Sequence, residues 1–246
     1  MITSSGTSFL DFKKSSTASE FPRAFAEYVR SHGDTYFWEQ GGFHVVTRAE
    51  DAREVLTSPA YSADRGGFFI SRMPNMDLSL IPDFFSVVRK MMVMSDDGDH
   101  ARKRRLAAGG FEDDVLERFT ATVRETVRTL VAEIADRPRV DFAQAVAKRL
   151  PSTVLADLFS IPEADRGEFF RCASIMTGFF GGASQYRNED GIEVNAAARS
   201  LKDYFERLLV ERRQRPGGDY VSILLRTQSL LEMSDEDMVA QLIMML

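Results

Sequence analysis

The chain has 246 residues, 44% hydrophobic and 28% charged, with a formal net charge of −6. That is ordinary globular composition, which excludes disordered, collagen-like and coiled-coil classes, and the acidic balance excludes a nucleic-acid partner for the chain as a whole. Cys172 is the only cysteine, so there is no internal disulfide framework. The start, Met1-Ile2-Thr3-Ser4-Ser5-Gly6-Thr7, lacks the basic stretch and apolar run of a secretory signal, and no apolar run approaches the ~20 residues needed to cross a bilayer. The expectation is a soluble, cytoplasmic protein with no membrane partner.

Residues 1–20 are Ser/Thr-rich and read as a flexible lead-in. Phe21 to Ser31 has helical spacing of Phe21, Phe25, Tyr28 and Val29. Thr35-Tyr36-Phe37-Trp38 and Phe43 to Val46 are β-rich and flank Gln40-Gly41-Gly42, a hairpin signal. Arg48 to Thr57 is a short helix closed by Ser58-Pro59. Residues 60–88 are apolar without a clean period and are broken by Pro74 and Pro82. A long irregular apolar stretch of this kind is often a binding or lid segment.

Beyond Asp99 the pattern is almost wholly helical. His100 to Ala108 forms one helix. Asp113 to Ala135 forms the next, with Val115, Phe119, Val123, Val127, Leu130, Val131 and Ile134 on one stripe. Arg139-Val140-Asp141-Phe142 reads as a short strand. Ala143 to Phe159 is helical with a kink expected at Pro151. Glu163 to Phe180 and Glu193 to Arg215 are helices joined by a flexible Gly181-to-Gly191 connection, and Tyr220 to Thr227 is a short helix. Ser234 then caps a last helix whose first turn holds Asp235, Glu236 and Asp237. That helix is apolar nearly all round and carries no stop signal, so the expectation is burial on every side and a chain that continues in a longer protein.

Within Met94-Ser95-Asp96-Asp97-Gly98-Asp99-His100-Ala101-Arg102-Lys103-Arg104-Arg105-Leu106, Asp97 or Asp99 is placed to cap a helix. His100 and Arg104 fall one turn apart on one face. An imidazole beside a guanidinium suits a carboxylate or phosphate ligand, although a basic stripe on a surface helix has the same spacing. Arg102, Lys103 and Arg105 point away from that face and read as a solvated charge run. Asp96, Asp97, Asp99 and His100 are more simply caps and turns than a metal cluster, and no metal site is expected. No nucleotide-binding glycine fingerprint occurs, and His32 and His44 have no partners in a recognisable hydrolase arrangement.

The His100–Arg104 stretch resembles the C helix of the cytochromes P450, in which such a pair holds the haem propionates. The surrounding order is similar to that family as well. Arg48 to Pro59 resembles the B helix. Ala107-Ala108-Gly109-Gly110-Phe111 resembles the end of the C helix. Leu150-Pro151 and Leu158 to Arg166 resemble helix E and the turn into F, with Ser160 where glycine is more usual. Ser234 to Val239 resembles the start of the long I helix. The likeness runs from about Phe21 to Leu246 and is nearest the soluble bacterial branch.

The resemblance implies a mainly α fold with a small β-sheet near the N-terminus: residues 21–246 as the N-terminal part of a single P450 domain, helix A to the start of I. It implies a haem cofactor held by His100 and Arg104, a small lipophilic substrate such as a secondary metabolite, and a ferredoxin-type redox partner meeting the outer side of the C helix. Substrate-contacting positions would be Phe68, Phe69, Ile70, Phe84, Phe85, Met176, Phe179 and Phe180, with plain core packing as the simpler alternative. The family's Glu-x-x-Arg helix and its cysteine loop lie beyond the resemblance. Cys172 does not replace that ligand, since Asp165 and Glu168 stand where Phe and Gly are needed. The 246-residue chain is therefore expected to have no catalytic residue and no monooxygenase activity by itself. The other reading is a haem-free P450-like accessory protein that binds and stabilises a partner enzyme.

Overall fold

A computed structural model describes residues 27, 31, 33–38, 43–66, 70, 73, 76–111, 113–180 and 187–246. The lead-in, the Gln40–Gly42 turn, Phe68, Phe69 and residues 181–186 lie outside the described residues. The chain forms two compact units, residues 1–61 and 62–246.

In the first unit, β1 (Thr35–Trp38) pairs antiparallel with β2 (Phe43–Val46), Thr35 opposite Val46 and Trp38 opposite Phe43. The Thr47 amide and hydroxyl both donate to the Asp34 carbonyl at 2.9 Å and close the open end of the ladder. Helix α1 (Ala49–Thr57) has Glu50 and Asp51 in its first turn, where the helix dipole favours anions. It stops at Ser58, which is extended (φ −82°, ψ 133°) because Pro59 disfavours helical geometry in the residue before it.

The second unit is helical, with short 3-10 turns at Leu78–Leu80, Met92–Met94, Gly109–Phe111 and Ser229–Leu231. Its α-helices are α2 (Pro82–Val88), α3 (Asp97–Ala108), α4 (Asp113–Ile134), α5 (Arg149–Leu158), α6 (Glu163–Phe180), α7 (Asn188–Gln214), α8 (Tyr220–Gln228) and α9 (Asp235–Met244). The long helix α7 packs against α2, α6, α8 and α9. Phe84, Phe159, Phe205, Tyr220, Met238 and Leu242 are fully buried around it. At roughly 25 cal/mol per Å² of apolar surface, side chains of this size each stabilise the fold by about 1.5–3 kcal/mol.

Four local expectations are corrected. Pro82 does not break structure; it opens α2 at its first position, where no amide is required and a fixed φ helps. Arg139 to Phe142 is not a strand: residues 137–141 are irregular, and a π-helical turn, Ala143–Ala147, follows, with the Lys148 amide donating to the Ala143 carbonyl at 3.0 Å. The expected kink takes the form of a break at Lys148, after which Pro151 sits in the first turn of α5, where its missing N–H leaves no bond unmade. Helix α7 begins at Asn188 rather than Glu193. Its start is fixed by distant partners: the Asn188 side chain accepts from the Asp77 amide at 2.8 Å, and a Cβ on Gly191 would lie 3.0 Å from the Met76 sulfur.

Candidate functional site

Helix α3 carries the predicted anion-binding pair. Its N-cap is Asp96, and the Asp96 carboxylate does not cap the helix. It reaches back across the chain to accept from the Ser62 hydroxyl and from the Ala63 amide (2.6 Å). These bonds, the Ser62 hydroxyl first, hold its pKa below the ordinary carboxylate value. Asp97 adopts a left-handed backbone (φ 47°), so the expectation of Asp97 or Asp99 as cap is corrected. Asp99 instead bridges Lys103 at 2.6 Å and Arg102 at 2.9 Å, and the Lys103 ammonium draws its pKa down to about 2.

His100 and Arg104 follow one turn apart, His100 half-buried and Arg104 exposed. Neither side chain makes a hydrogen bond or ion pair to another described residue, unlike Arg102 and Lys103 on the same helix. A guanidinium with five donors and an imidazole one turn apart on a helix make a donor set suited to carboxylates. The residues present fit the propionates of a haem in this respect.

Lys103 is not part of a solvated run. It is 4% exposed, and its ammonium donates to the Ser95 hydroxyl at 2.7 Å as well as meeting Asp99. A lysine is almost never this buried unless paired. The sequence showed a basic cluster and the i−4 aspartate, but Ser95 lies on the preceding segment and gave no periodic signal. Among the described residues, no three His, Cys, Asp or Glu side chains converge as metal ligands.

Cys172, on α6, is 1% exposed, and its thiol donates to Glu168 at 3.3 Å. Burial, and then the Glu168 carboxylate, push the thiol up to about 11. A thiol so protected is unsuited to metal ligation, which needs the thiolate.

The apolar candidates divide. Phe84 on α2 meets Phe179 on α6 edge-on at 5.0 Å between centroids, and also touches Phe180 (5.7 Å) and Phe85 (5.9 Å). Phe84, Met176 and Phe179 are buried, Phe85 is half-buried, and Phe180 and Ile70 are exposed. Four of the predicted rings therefore form one cluster. Beside Phe85 lies a cavity of about 150 Å³ lined also by Asp64, Gly66, Val88, Arg89 and Met94. Sequence reasoning missed Val88 and Arg89 because the helix that places them was read as irregular.

No family model matches the chain. Curated relatives do. It is 26% identical over 194 residues to a steroid C26-monooxygenase of Mycobacterium tuberculosis, covering 77% of this chain and 42% of that protein. It is 29% identical over 186 residues to the cytochrome P450 NovI of Streptomyces niveus (76% and 43%), and 26% identical over 232 residues to a biotin biosynthesis cytochrome P450 of Bacillus subtilis (91% and 55%). Among solved structures, P450BioI in complex with an acyl carrier protein ligated to hexadec-9Z-enoic acid superposes with a TM-score of 0.78 over 93% of this chain and 58% of that one, at 22% identity. CalO2 gives 0.76 over 93% and 56%, at 24% identity. The chain spans about half the length of the curated relatives it matches. No described helix is long and apolar enough to cross a membrane.

Proposed function

We propose that this chain, a homologue of the bacterial cytochromes P450, is the N-terminal part of a haem-dependent monooxygenase domain that acts on a lipophilic small molecule. The observation that carries the reading is the His100–Arg104 pair one turn apart on α3, whose side chains make no hydrogen bond or ion pair to another described residue, set in a fold that matches solved P450 structures over nine-tenths of the chain. When bound, the haem supplies the oxidation of substrate by dioxygen. His100 and Arg104 would hold its propionates, Arg104 as a planar bidentate donor and His100 through one ring nitrogen. The Phe84–Phe179–Phe180 cluster and Phe85 would form an apolar wall against substrate, and Phe68, Phe69, Ile70 and Met176 belong to the same proposed substrate-contacting set.

The haem-thiolate region of the family would not be among these residues, and Cys172 is too buried and too firmly protonated to stand in for it. The 246 residues alone would then not turn over substrate. Exposed Arg102 and Arg105 on α3 would face a ferredoxin-type electron donor by charge steering. A relative named for polyketide biosynthesis, the cytochrome P450 PksS of Bacillus subtilis (23% identical over 184 residues), supports a place in secondary metabolism, and the P450BioI complex makes a carrier-bound acyl chain one candidate substrate form. A cytoplasmic location belongs to the same proposal. Titration of the chain with haemin, followed by absorbance, tests the reading. Arg104→Ala should weaken binding by about tenfold, the size of one charge-assisted hydrogen bond. Unchanged affinity in both Arg104→Ala and His100→Ala overturns it.

A further inference from the structure

Among the described residues five polar or charged side chains are buried: Ser95, Lys103, Asn195, Ser222 and Gln241. Three of them belong to one connected system. Gln241 on α9, 1% exposed, donates from its amide nitrogen to the Lys90 carbonyl (2.8 Å) and to the Asp237 carbonyl of its own helix (3.0 Å), and it accepts from the Met92 amide (2.8 Å). The 90–95 segment continues the path, with the Ser95 hydroxyl donating to the Met91 carbonyl at 3.1 Å. Lys103 on α3 donates to Ser95 and pairs with Asp99. At the far end Lys90 pairs with Glu236 (3.1 Å) and Asp237 (3.6 Å) of α9. Every buried polar side-chain atom among the described residues has a partner.

A chain of satisfied buried polar groups is directional where apolar packing is not. A leucine in place of Lys103 or Gln241 would fill space without fixing rotation of the helix about its axis. Burying an ammonium and a carboxamide carries a desolvation penalty that apolar residues avoid, so such networks contribute geometry more than net stability. Lys103 lies between His100 and Arg104 in sequence, one residue before the guanidinium that faces outward. The rotation that seats Lys103 on Ser95 therefore also sets where Arg104 and His100 point.

We infer that the Lys103–Ser95–Gln241 network is a positioning device that locks the rotation of α3 against α9 and so pre-aims the His100–Arg104 pair at a dianionic ligand. The inference rests on the propionate-holding role proposed for that pair. Lys103, Ser95 and Gln241 touch no ligand in this scheme and act only through the orientation of α3.

The test compares binding of iron protoporphyrin IX with that of its dimethyl ester, which lacks the two carboxylates, to the 246-residue chain. Wild type should prefer the diacid by about tenfold or more. Arg104→Ala should abolish the preference. Lys103→Met and Gln241→Met should each lower it several-fold while leaving ester affinity unchanged, and Lys103→Arg should restore part of it. Loss of diacid and ester affinity together in Lys103→Met would mean general structural support and overturn the positioning role. An unchanged preference in Lys103→Met, with the preference lost in Arg104→Ala, overturns the inference and leaves the propionate reading standing. A preference that is unchanged in both Arg104→Ala and His100→Ala overturns both. If Lys103→Met does not fold, Ser95→Ala carries the same comparison, since it removes one acceptor of Lys103 and leaves Asp99 in place.

Discussion

The ring of Tyr220 lies directly against the backbone of Gly110: a Cβ added to that glycine would fall 1.9 Å from the ring's Cε2 atom. The Tyr220 hydroxyl donates to the Ala107 carbonyl at 2.9 Å, so α8 is held to the end of α3 by a hydrogen bond and by a contact only glycine permits. Gly110→Ala should destabilise the chain by about 1–3 kcal/mol through overpacking, measured by urea unfolding. The loss should shrink in a Tyr220→Leu background, because the two sites share one contact. Equal losses in both backgrounds would show that the alanine acts elsewhere.

Asn195 on α7 acts as a cap for another helix. Its side-chain oxygen accepts from the Asp83 and Phe84 amides (2.8 and 3.2 Å) at the N-terminus of α2, where Ile81 supplies no side-chain cap. Asn195→Leu leaves those buried donors unmet and should lower stability by about 1–3 kcal/mol. The neighbouring Arg199–Asp83 pair (2.7 Å) has an exposed guanidinium, so Arg199→Ala should cost less than about 1 kcal/mol. Thermal or urea denaturation of the two variants gives the ranking, and the reverse order would refute the capping role.

Asp99 supplies a pH signature. Its folded pKa, about 2, lies below the ordinary aspartate value, so the carboxylate stabilises the fold above about pH 4. That contribution is lost as pH falls from about 4 towards 2, through the folded pKa. The stability difference between wild type and Asp99→Asn should therefore narrow over this window and stay level above about pH 5. A gap that widens on acidification would contradict the Lys103 pairing.

Cys172 should be nearly inert. With its thiol pushed up to about 11, its thiolate fraction at neutral pH is lower than that of an ordinary cysteine by on the order of a hundredfold, and burial blocks approach. Iodoacetamide should label it slowly in the folded chain and rapidly in urea. In haemin-loaded chain, Cys172→Ala should leave the Soret band where it is. A shifted band would make Cys172 an iron ligand.

Most of the helical order was legible because the stripes are long: Val115 to Ile134 on α4 and the capped start of α9 at Ser234 declare themselves by spacing and by capping chemistry. The misreadings share a cause, which is control by residues far along the chain. Pro82 opens a helix because Asn195 meets its amides, and Asn188 starts α7 beside Asp77. Lys103 is buried because Ser95, on the preceding segment, accepts from it. No local period encodes such partners. The site divides in the same way. His100 and Arg104 were visible as an i,i+4 pair, and Phe84 and Phe179 as aromatic candidates. Their meeting edge-on required the tertiary fold, as did Val88 and Arg89 beside the cavity.

The capping of α2 from α7 bears on how this region moves. Seven residues are too few for a helix to persist by itself in water, since the first turn is costly to nucleate. With its N-terminal amides satisfied by a residue 112 positions away, α2 exists only while α7 is docked. Separation of the two would therefore melt Pro82–Val88 instead of swinging it as a rigid arm, and Phe84 would leave the aromatic cluster in the same event. Amide exchange at Asp83 and Phe84 should report this opening as one cooperative step.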